Sequence, residues 1–316
     1  MGERDRIARF FTPLASREPG SFDLTDDAAI LTPPPGQRLV ITTDSVIETV
    51  HVLAAATPQQ CAQKLMRRNL SDLAAMGATP WRYTLNLHTP TTTDDAWFAA
   101  FAGTLAAEQQ RFGLTLIGGD TTSGGDRIHV TMTCFGLLEG EALRRNGAQV
   151  GNDLYVSGSL GGAAYALSWL QQNMPVSEAL AARYHCPEPR LQLGKMLQHV
   201  ATSAIDISDG LLADIAQVCR ASHVAATIHR AVIPLQHELQ HEVQQNPEAW
   251  RFALSGGDDY ELCFTAAKNA REAVASLAAK IELPLTRIGE ITAGNGVILL
   301  DENGAQLPIT QGGWEY

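Results

Sequence analysis

Apolar positions in this chain alternate between short β-branched runs and longer repeats of helical period. Arg38–Asp44, RLVITTD, predicts a strand. Ala62, Leu65, Met66, Asn69, Leu70 and Leu73 then recur at helical spacing and predict a helix over Pro58–Met76. Thr57 can cap that helix, Pro58 suits its first position, Gln60 completes a capping box and Gly77 stops it. Tyr83–His88 reads as a strand, Asp94–Phe112 as an Ala-rich helix stopped by Gly113, and Leu114–Ile117 and Arg127–Leu138 as strands. From Gly140 to Gly151 the pattern breaks into the polar stretch GEALRRNGAQVG, which places a domain boundary there, giving domains 1–140 and 141–316. Beyond it come a strand at Asp153–Ser157, a small-residue helix from Gly161 to about Leu170, and helical stretches to Val200. A short strand, Ala204–Ser208, feeds a helix at Leu211–Ala221. Strands follow at 225–229, 260–265, 286–291 and 296–300, with a helix at about 268–280. Alternating strands and helices in both halves predict two α/β or α+β domains.

Composition narrows the class. Of 316 residues, 45% are apolar and 18% charged, which is enough to build cores and excludes a disordered chain. The net charge of −11 lacks the basic footprint that phosphate backbones or anionic lipid require, so neither nucleic acid nor membrane is an expected partner. No apolar run reaches the roughly 18 residues of a membrane span, and MGERDRIARFF has no apolar signal region, so a cytoplasmic protein is expected. The five scattered cysteines form no C-x-x-C and read as small buried hydrophobes of a reducing compartment.

One arrangement recurs: an apolar strand that ends in small residues and an aspartate. It appears as LVITTD (Asp44), LTLIGGD (Asp120), SAIDISDG (Asp206, Asp209) and ALSGGDD (Asp258, Asp259), with DLTDDAAIL (Asp26, Asp27) in a related setting. Small residues let a ligand approach the backbone, and aspartate holds its carboxylate close to the main chain. Asp72 differs, because it lies on the predicted helix at the margin of the apolar stripe. Taken singly, such Gly-Asp and Ser-Asp pairs also serve turns and helix caps. Taken together, converging aspartates need a counter-charge. Magnesium supplies one, because it takes one or two carboxylates plus waters and substrate phosphates. A magnesium–nucleoside triphosphate site is the economical reading. No Walker loop or helix-opening G-x-G-x-x-G is present, so ATP would be held through metals and glycine-rich turns.

Three further features have plain readings. His237-Glu238-Leu239-Gln240-His241 spells H-E-x-x-H, but it lies in a Gln-, Glu- and His-rich stretch that reads as a solvated helix face. Arg67-Arg68 is expected to face mostly solvent. Arg144-Arg145 reads either as a solvated turn or, at Arg145, as a phosphate contact.

ITTDSVIETVHV, NLSDLAAMGATP, LIGGDTTSG, AIDISDGLLADI and LSGGDDYELCF, in this order and spacing, closely resemble thiamine-monophosphate kinases. These belong to the superfamily of aminoimidazole-ribonucleotide synthetase, selenophosphate synthetase and a hydrogenase-maturation protein. The resemblance implies an N-terminal α/β domain whose strands form a barrel across a homodimer, a C-terminal mixed α/β domain, and an active site in a cleft between them. It implies transfer of the ATP γ-phosphoryl group to thiamine monophosphate with Mg2+. Carried over by position, Asp27, Thr42, Thr43, Asp44, Asp72, Asp120, Asp206 and Asp209 match metal positions. Gly119, Asp120, Arg145 and Ser208 match nucleotide contacts, and His51, Asp258 and Trp314 match thiamine-substrate positions. No covalent nucleophile is implied.

Two positions depart from the family pattern. Thr25 stands where glycine usually precedes Asp26-Asp27, and Asp258 stands where glutamate is frequent. His51 alone would read as a surface or structural histidine. Trp314, in the tail GGWEY, would read as a terminal residue, or as a ring stacked on the cationic thiazolium. The alternatives are another ATP-dependent synthetase of the superfamily and a non-catalytic binder on the same scaffold. The N-terminus lacks the reactive Cys and Lys of a selenophosphate synthetase, and the chain ends Trp-Glu-Tyr where the hydrogenase-maturation member ends in cysteine.

Overall fold

The computed structural model describes residues 2–309 and Gly313. The chain divides into two compact units, one of residues 1–73 and 78–140, the other of 74–77 and 141–316. The expectation placed on Trp314 lies outside the described residues.

In the first unit, β1 (Arg38–Ile47), β2 (Thr79–Thr89), β3 (Leu116–Ser123) and β4 (His129–Leu138) form a sheet of order β1-β4-β2-β3, antiparallel except for the β2–β3 pair. Two helices, Pro58–Ala75 and Asp95–Phe112, supply its core. Their caps follow the sequence. Thr57 and Gln60 exchange the two bonds of a capping box, Asp94 accepts the Trp97 N–H, and Gly113 closes the second helix at φ 74°. Leu65, Leu70, Phe98, Phe101 and Leu105 are buried, as are Tyr83, Leu85, Leu87, Val130, Met132 and Cys134, which share one face of the sheet. The opposite face stays open: Leu39 is 41% and Ile41 60% exposed, beside Thr43 and the Thr131–Ser45 pair. Neither sheet of the chain closes into a barrel among the described residues.

In the second unit, β5 (Asp153–Ser157), β6 (Ala201–Asp206), β7 (Ala225–His229), β8 (Leu262–Ala266), β9 (Leu285–Thr292), β10 (Gly296–Leu300) and β11 (Gln306–Leu307) form a mixed sheet of order β11-β10-β7-β9-β5-β8-β6. Only β7–β10 is parallel. β5 and β8 are buried along their whole length. Tyr155, Phe264, Leu262, Leu193, Leu197 and Val274 form one core cluster, and the Leu211–Ser222 helix buries Leu211, Leu212, Ile215, Val218 and Cys219. Four of the five cysteines are buried and none is bridged. No helix is long and apolar enough to cross a membrane among the described residues.

Three sequence expectations are corrected here. Asp44 and Asp120 stand inside β1 and β3, not at strand ends, because both strands continue through polar residues that a hydropathy pattern reads as loop. Asp258 and Asp259 precede β8 and follow a short helix, Trp250–Leu254, so of this set only Asp206 closes a strand. Arg67 is buried, at 2% exposure, because Glu108 of the neighbouring helix pairs with it, and Arg68 is drawn onto Asp44.

Candidate active site

On the covered face of β1 the side chains run Val40, Thr42, Asp44, Val46, with Thr42 opposite Cys134 and Asp44 opposite Met132. Two polar residues thus point toward the Pro58–Ala75 helix. That helix meets them with Arg68 and Asp72, which stand one turn apart on a single face. Arg68 Nη2 donates to Asp44 Oδ1 at 3.3 Å and Nη1 donates to the Ser45 carbonyl at 3.2 Å. Thr42 Oγ1 donates to Asp72 Oδ2. Burial, and then the negative charges of Asp72 and Asp44, push the Cys134 thiol far above its usual range. Thr43 alternates to the open face, where its hydroxyl meets Thr133 and the Met132 carbonyl. His51, in the turn after β1, accepts the Ile47 N–H on Nδ1 at 3.1 Å.

A second acidic place lies at the other edge of the same sheet. Asp26, Asp27, Gly119 and Asp120 line a cavity of about 350 Å³ whose apolar wall includes Phe11, Leu85 and Leu116. Gly119 has φ 152°, and a Cβ there would fall 1.8 Å from the Leu85 carbonyl oxygen, so no side chain fits. The loop that carries Asp26 and Asp27 does not need glycine at Thr25, which has φ −102° and donates its hydroxyl to the Phe22 carbonyl at 2.6 Å. The left-handed residues are instead Phe22, Asp23 and Leu24. The aligned row Asp44–Met132–Leu85–Gly119 spans three strand spacings, about 14 Å of backbone. Carboxylates are thus offered in ones and twos. No three His, Cys, Asp or Glu side chains gather as a metal cage among the described residues.

In the second unit, Asp206 ends β6 and is followed by the turn Ser208-Asp209-Gly210, which opens the Leu211–Ser222 helix. The Gly257–Glu261 segment runs alongside. Asp258 N–H donates to the Ser208 carbonyl, Tyr260 N–H to the Ile207 carbonyl, and Ile207 N–H to the Glu261 carbonyl, at 2.8–2.9 Å. Asp258 sits at φ 62°, and its Oδ1 accepts the Tyr260 hydroxyl at 2.9 Å. Asp206, Ser208, Asp209 and Asp258 are therefore brought together. Gly313 also reaches this turn, since a Cβ there would fall 2.8 Å from the Asp209 carbonyl oxygen. Arg145 stands exposed in a short 3₁₀ turn and donates from Nη1 to Gln217 at 2.7 Å.

Several residues that shape this turn carry no signal in the strand-and-aspartate pattern. Asp214, 1% exposed, accepts on Oδ2 the N–H groups of Ser208, Asp209 and Gly210 at 3.1–3.2 Å. Burial, with the charges of Asp206 and Asp209, pushes its carboxyl up to about 8. Its place one turn into a helix opened by Ser-Asp-Gly is the sequence signal, since a carboxylate there can reach back to the first amides as in a capping box. Glu261, 1% exposed, binds Arg190 with both oxygens and also accepts from Arg183 and Ser157. H-E-x-x-H does lie on a helix, His237–Gln245. Its Glu238 carboxylate is taken by Ser177 and Gln236, as expected of a structural surface helix.

Asp259 gives a testable pH dependence. Its Oδ2 accepts the Gly161 N–H at 2.8 Å, while its buried Oδ1 has no hydrogen-bond partner among the described residues. Burial pushes this carboxyl up to about 7, against the opposing pull of Arg183. The folded state thus keeps the proton to higher pH than the unfolded state does. The stability this group lends is complete below about pH 4 and is lost as pH rises through 7. Asp259→Asn mimics the neutral form and should flatten the fall in Tm between pH 4 and pH 7 in calorimetric scans. A variant with the wild-type slope would count against this assignment.

Similar proteins place these residues in context. The family profile for "AIR synthase related protein, N-terminal domain" matches residues 25–138, and that for the C-terminal domain matches residues 149–302. Thiamine-monophosphate kinase of Escherichia coli K12 is 37% identical over 322 aligned residues, covering 100% of this chain and 98% of that protein. The chain belongs to the thiamine-monophosphate kinase family. The crystal structure of the kinase from Stenotrophomonas maltophilia K279a superposes with a TM-score of 0.81 at 42% identity, covering 87% of this chain and 89% of the other. A structure of AaThiL complexed with AMPPCP and TMP superposes with a TM-score of 0.79 at 27% identity, covering 94% and 97%. The fold of this family member is accordingly the mixed α/β, two-domain one of the thiamine-monophosphate kinases.

Proposed function

We propose that this protein transfers the γ-phosphoryl group of ATP to thiamine monophosphate, forming thiamine diphosphate. The observation that carries this reading is the end-to-end match to thiamine-monophosphate kinases, in a chain that keeps every acidic loop of the resemblance. The relative bound to AMPPCP, a β,γ-methylene analogue of ATP, and TMP supports the choice of co-substrates.

The donor set suits magnesium. It consists of hard oxygens presented in ones and twos, which leaves coordination positions for water and substrate phosphates. Asp27, Thr42, Asp44, Asp72 and Asp120 of the first unit and Asp206 and Asp209 of the second would hold the ions, and Thr43, whose side chain turns to the open face, would join them only through its backbone carbonyl. Bound there, magnesium neutralises charge on the reacting phosphates. Gly119, which lacks a side chain because the Leu85 backbone fills that space, would meet the nucleotide through its own backbone. Arg145 offers its remaining guanidinium donors to phosphate. Ser208 contacts the nucleotide through its hydroxyl, because its N–H is occupied by Asp214. His51 and Asp258 would contact the thiamine substrate, and Trp314 is given that role by the resemblance alone. The acceptor phosphate is largely deprotonated near neutral pH, so no strong general base and no phosphoenzyme are needed. Positioning and charge neutralisation carry the reaction.

The open face of the first unit's sheet, with Leu39 and Ile41 exposed, is the surface on which a second copy would complete a barrel. The test of function is a coupled panel: ATP and Mg2+ with thiamine monophosphate, thiamine, and other phosphate acceptors. Thiamine diphosphate formation confined to thiamine monophosphate supports the reading. Turnover confined to another acceptor, or none at all, would overturn it.

A further inference from the structure

We infer that Asp214 is a positioning residue that sets the Ser208-Asp209-Gly210 turn for cation binding by acting as the turn's own internal hydrogen-bond acceptor. Three successive N–H groups at the start of a helix are the arrangement that elsewhere cradles a phosphate. Here all three converge on one buried oxygen, Asp214 Oδ2, at 3.1, 3.1 and 3.2 Å. The positive end of the turn is therefore consumed inside the fold and is closed to a ligand anion.

Independent contacts hold the turn from its other side. The Ser208 carbonyl accepts the Asp258 N–H at 2.9 Å. Gly210, at φ 116° and ψ 149°, has the Ser255 backbone 2.7 Å from where its Cβ would lie, and at Gly257 a Cβ would fall 2.4 Å from the Ser208 carbonyl oxygen. A turn clamped in this way, with its amides tied inward, leaves the half-buried side chains of Ser208 and Asp209 as its outward chemistry. The same three residues, with their amides free, would favour an anion instead. Asp214 touches no reacting atom; it acts through Asp209.

This inference rests on the reading of Asp209 as a magnesium ligand, so its test uses binding rather than turnover. Mn2+ is titrated into the protein with AMPPCP, and free Mn2+ is read by electron paramagnetic resonance, well below each variant's Tm. Asp214→Ala, which releases the three amides, is expected to weaken Mn2+ binding at least tenfold. Asp214→Asn, which keeps an oxygen in place, should stay within threefold of wild type. If the alanine variant does not fold, Asp214→Ser, whose hydroxyl is too short to reach all three amides, replaces it with the same tenfold expectation. A folded Ala or Ser variant with wild-type Mn2+ affinity overturns the inference, even if its Tm falls, because the role would then be stability alone. Equal tenfold losses in Asn and Ala also overturn it, since retained geometry would not have mattered. Wild-type binding without thiamine diphosphate formation would sink the proposed reaction and leave this inference standing.

Discussion

Asp44→Asn should lower the rate of thiamine diphosphate formation by about a hundredfold to a thousandfold, the usual cost of deleting one preorganised electrostatic partner of a reacting group. The side chain is 28% exposed, and asparagine preserves its shape, so the fold should survive. The substitution removes the negative charge and leaves the positive charge of Arg68, whose Nη2 lies 3.3 Å from the Asp44 carboxylate, less balanced beside the cation site. Both changes repel a divalent ion. The loss should therefore be partly recovered at high Mg2+, and this is read by comparing Mg2+ titrations of initial rate in wild type and variant. Normal kinetics would remove Asp44 from the metal set.

Arg67→Ala should have the largest effect on stability, about 3–5 kcal/mol, because it strands a buried carboxylate. Arg67 Nε and Nη2 reach the two Glu108 oxygens at 2.7 and 3.0 Å, with side chains only 3% and 6% exposed. The pair joins the two 18-residue helices of the first unit, Pro58–Ala75 and Asp95–Phe112. Combining Arg67→Met with Glu108→Leu should restore much of the loss, since an apolar replacement leaves no charge unpaired. Urea unfolding of the single and double variants measures this. A single variant within about 1 kcal/mol of wild type, the value of an exposed pair, would contradict the burial argument.

The contrast between these two positions shows what the sequence carried. Elements with chemical punctuation could be read closely: Thr57 and Gln60 start one helix, and Asp94 and Gly113 bound the next. Each uses a local bond that the residue type dictates. Asp44 and Asp120 were legible as chemistry but not as geometry. Their strands continue past the apolar run because cross-strand partners, Met132 and Asn86, hold the backbone regardless of side-chain polarity. Arg67 and Arg68 looked solvated because their partners, Glu108 and Asp44, lie 41 and 24 positions away. Asp214 was hidden for a related reason: it binds backbone, and its function shows only once the Ser208–Gly210 amides are seen to point at it. Thr25 illustrates the reverse. A departure from the family pattern proved locally harmless, because the left-handed conformation falls on the preceding Phe22–Leu24.

The most direct measurement is anomalous diffraction from crystals grown with Mn2+, AMPPCP and thiamine monophosphate. Manganese peaks are expected on carboxylate oxygens of Asp44, Asp72, Asp120 and Asp209, in contact with the analogue's phosphates. Bound analogue whose metals ignore these side chains would contradict that expectation.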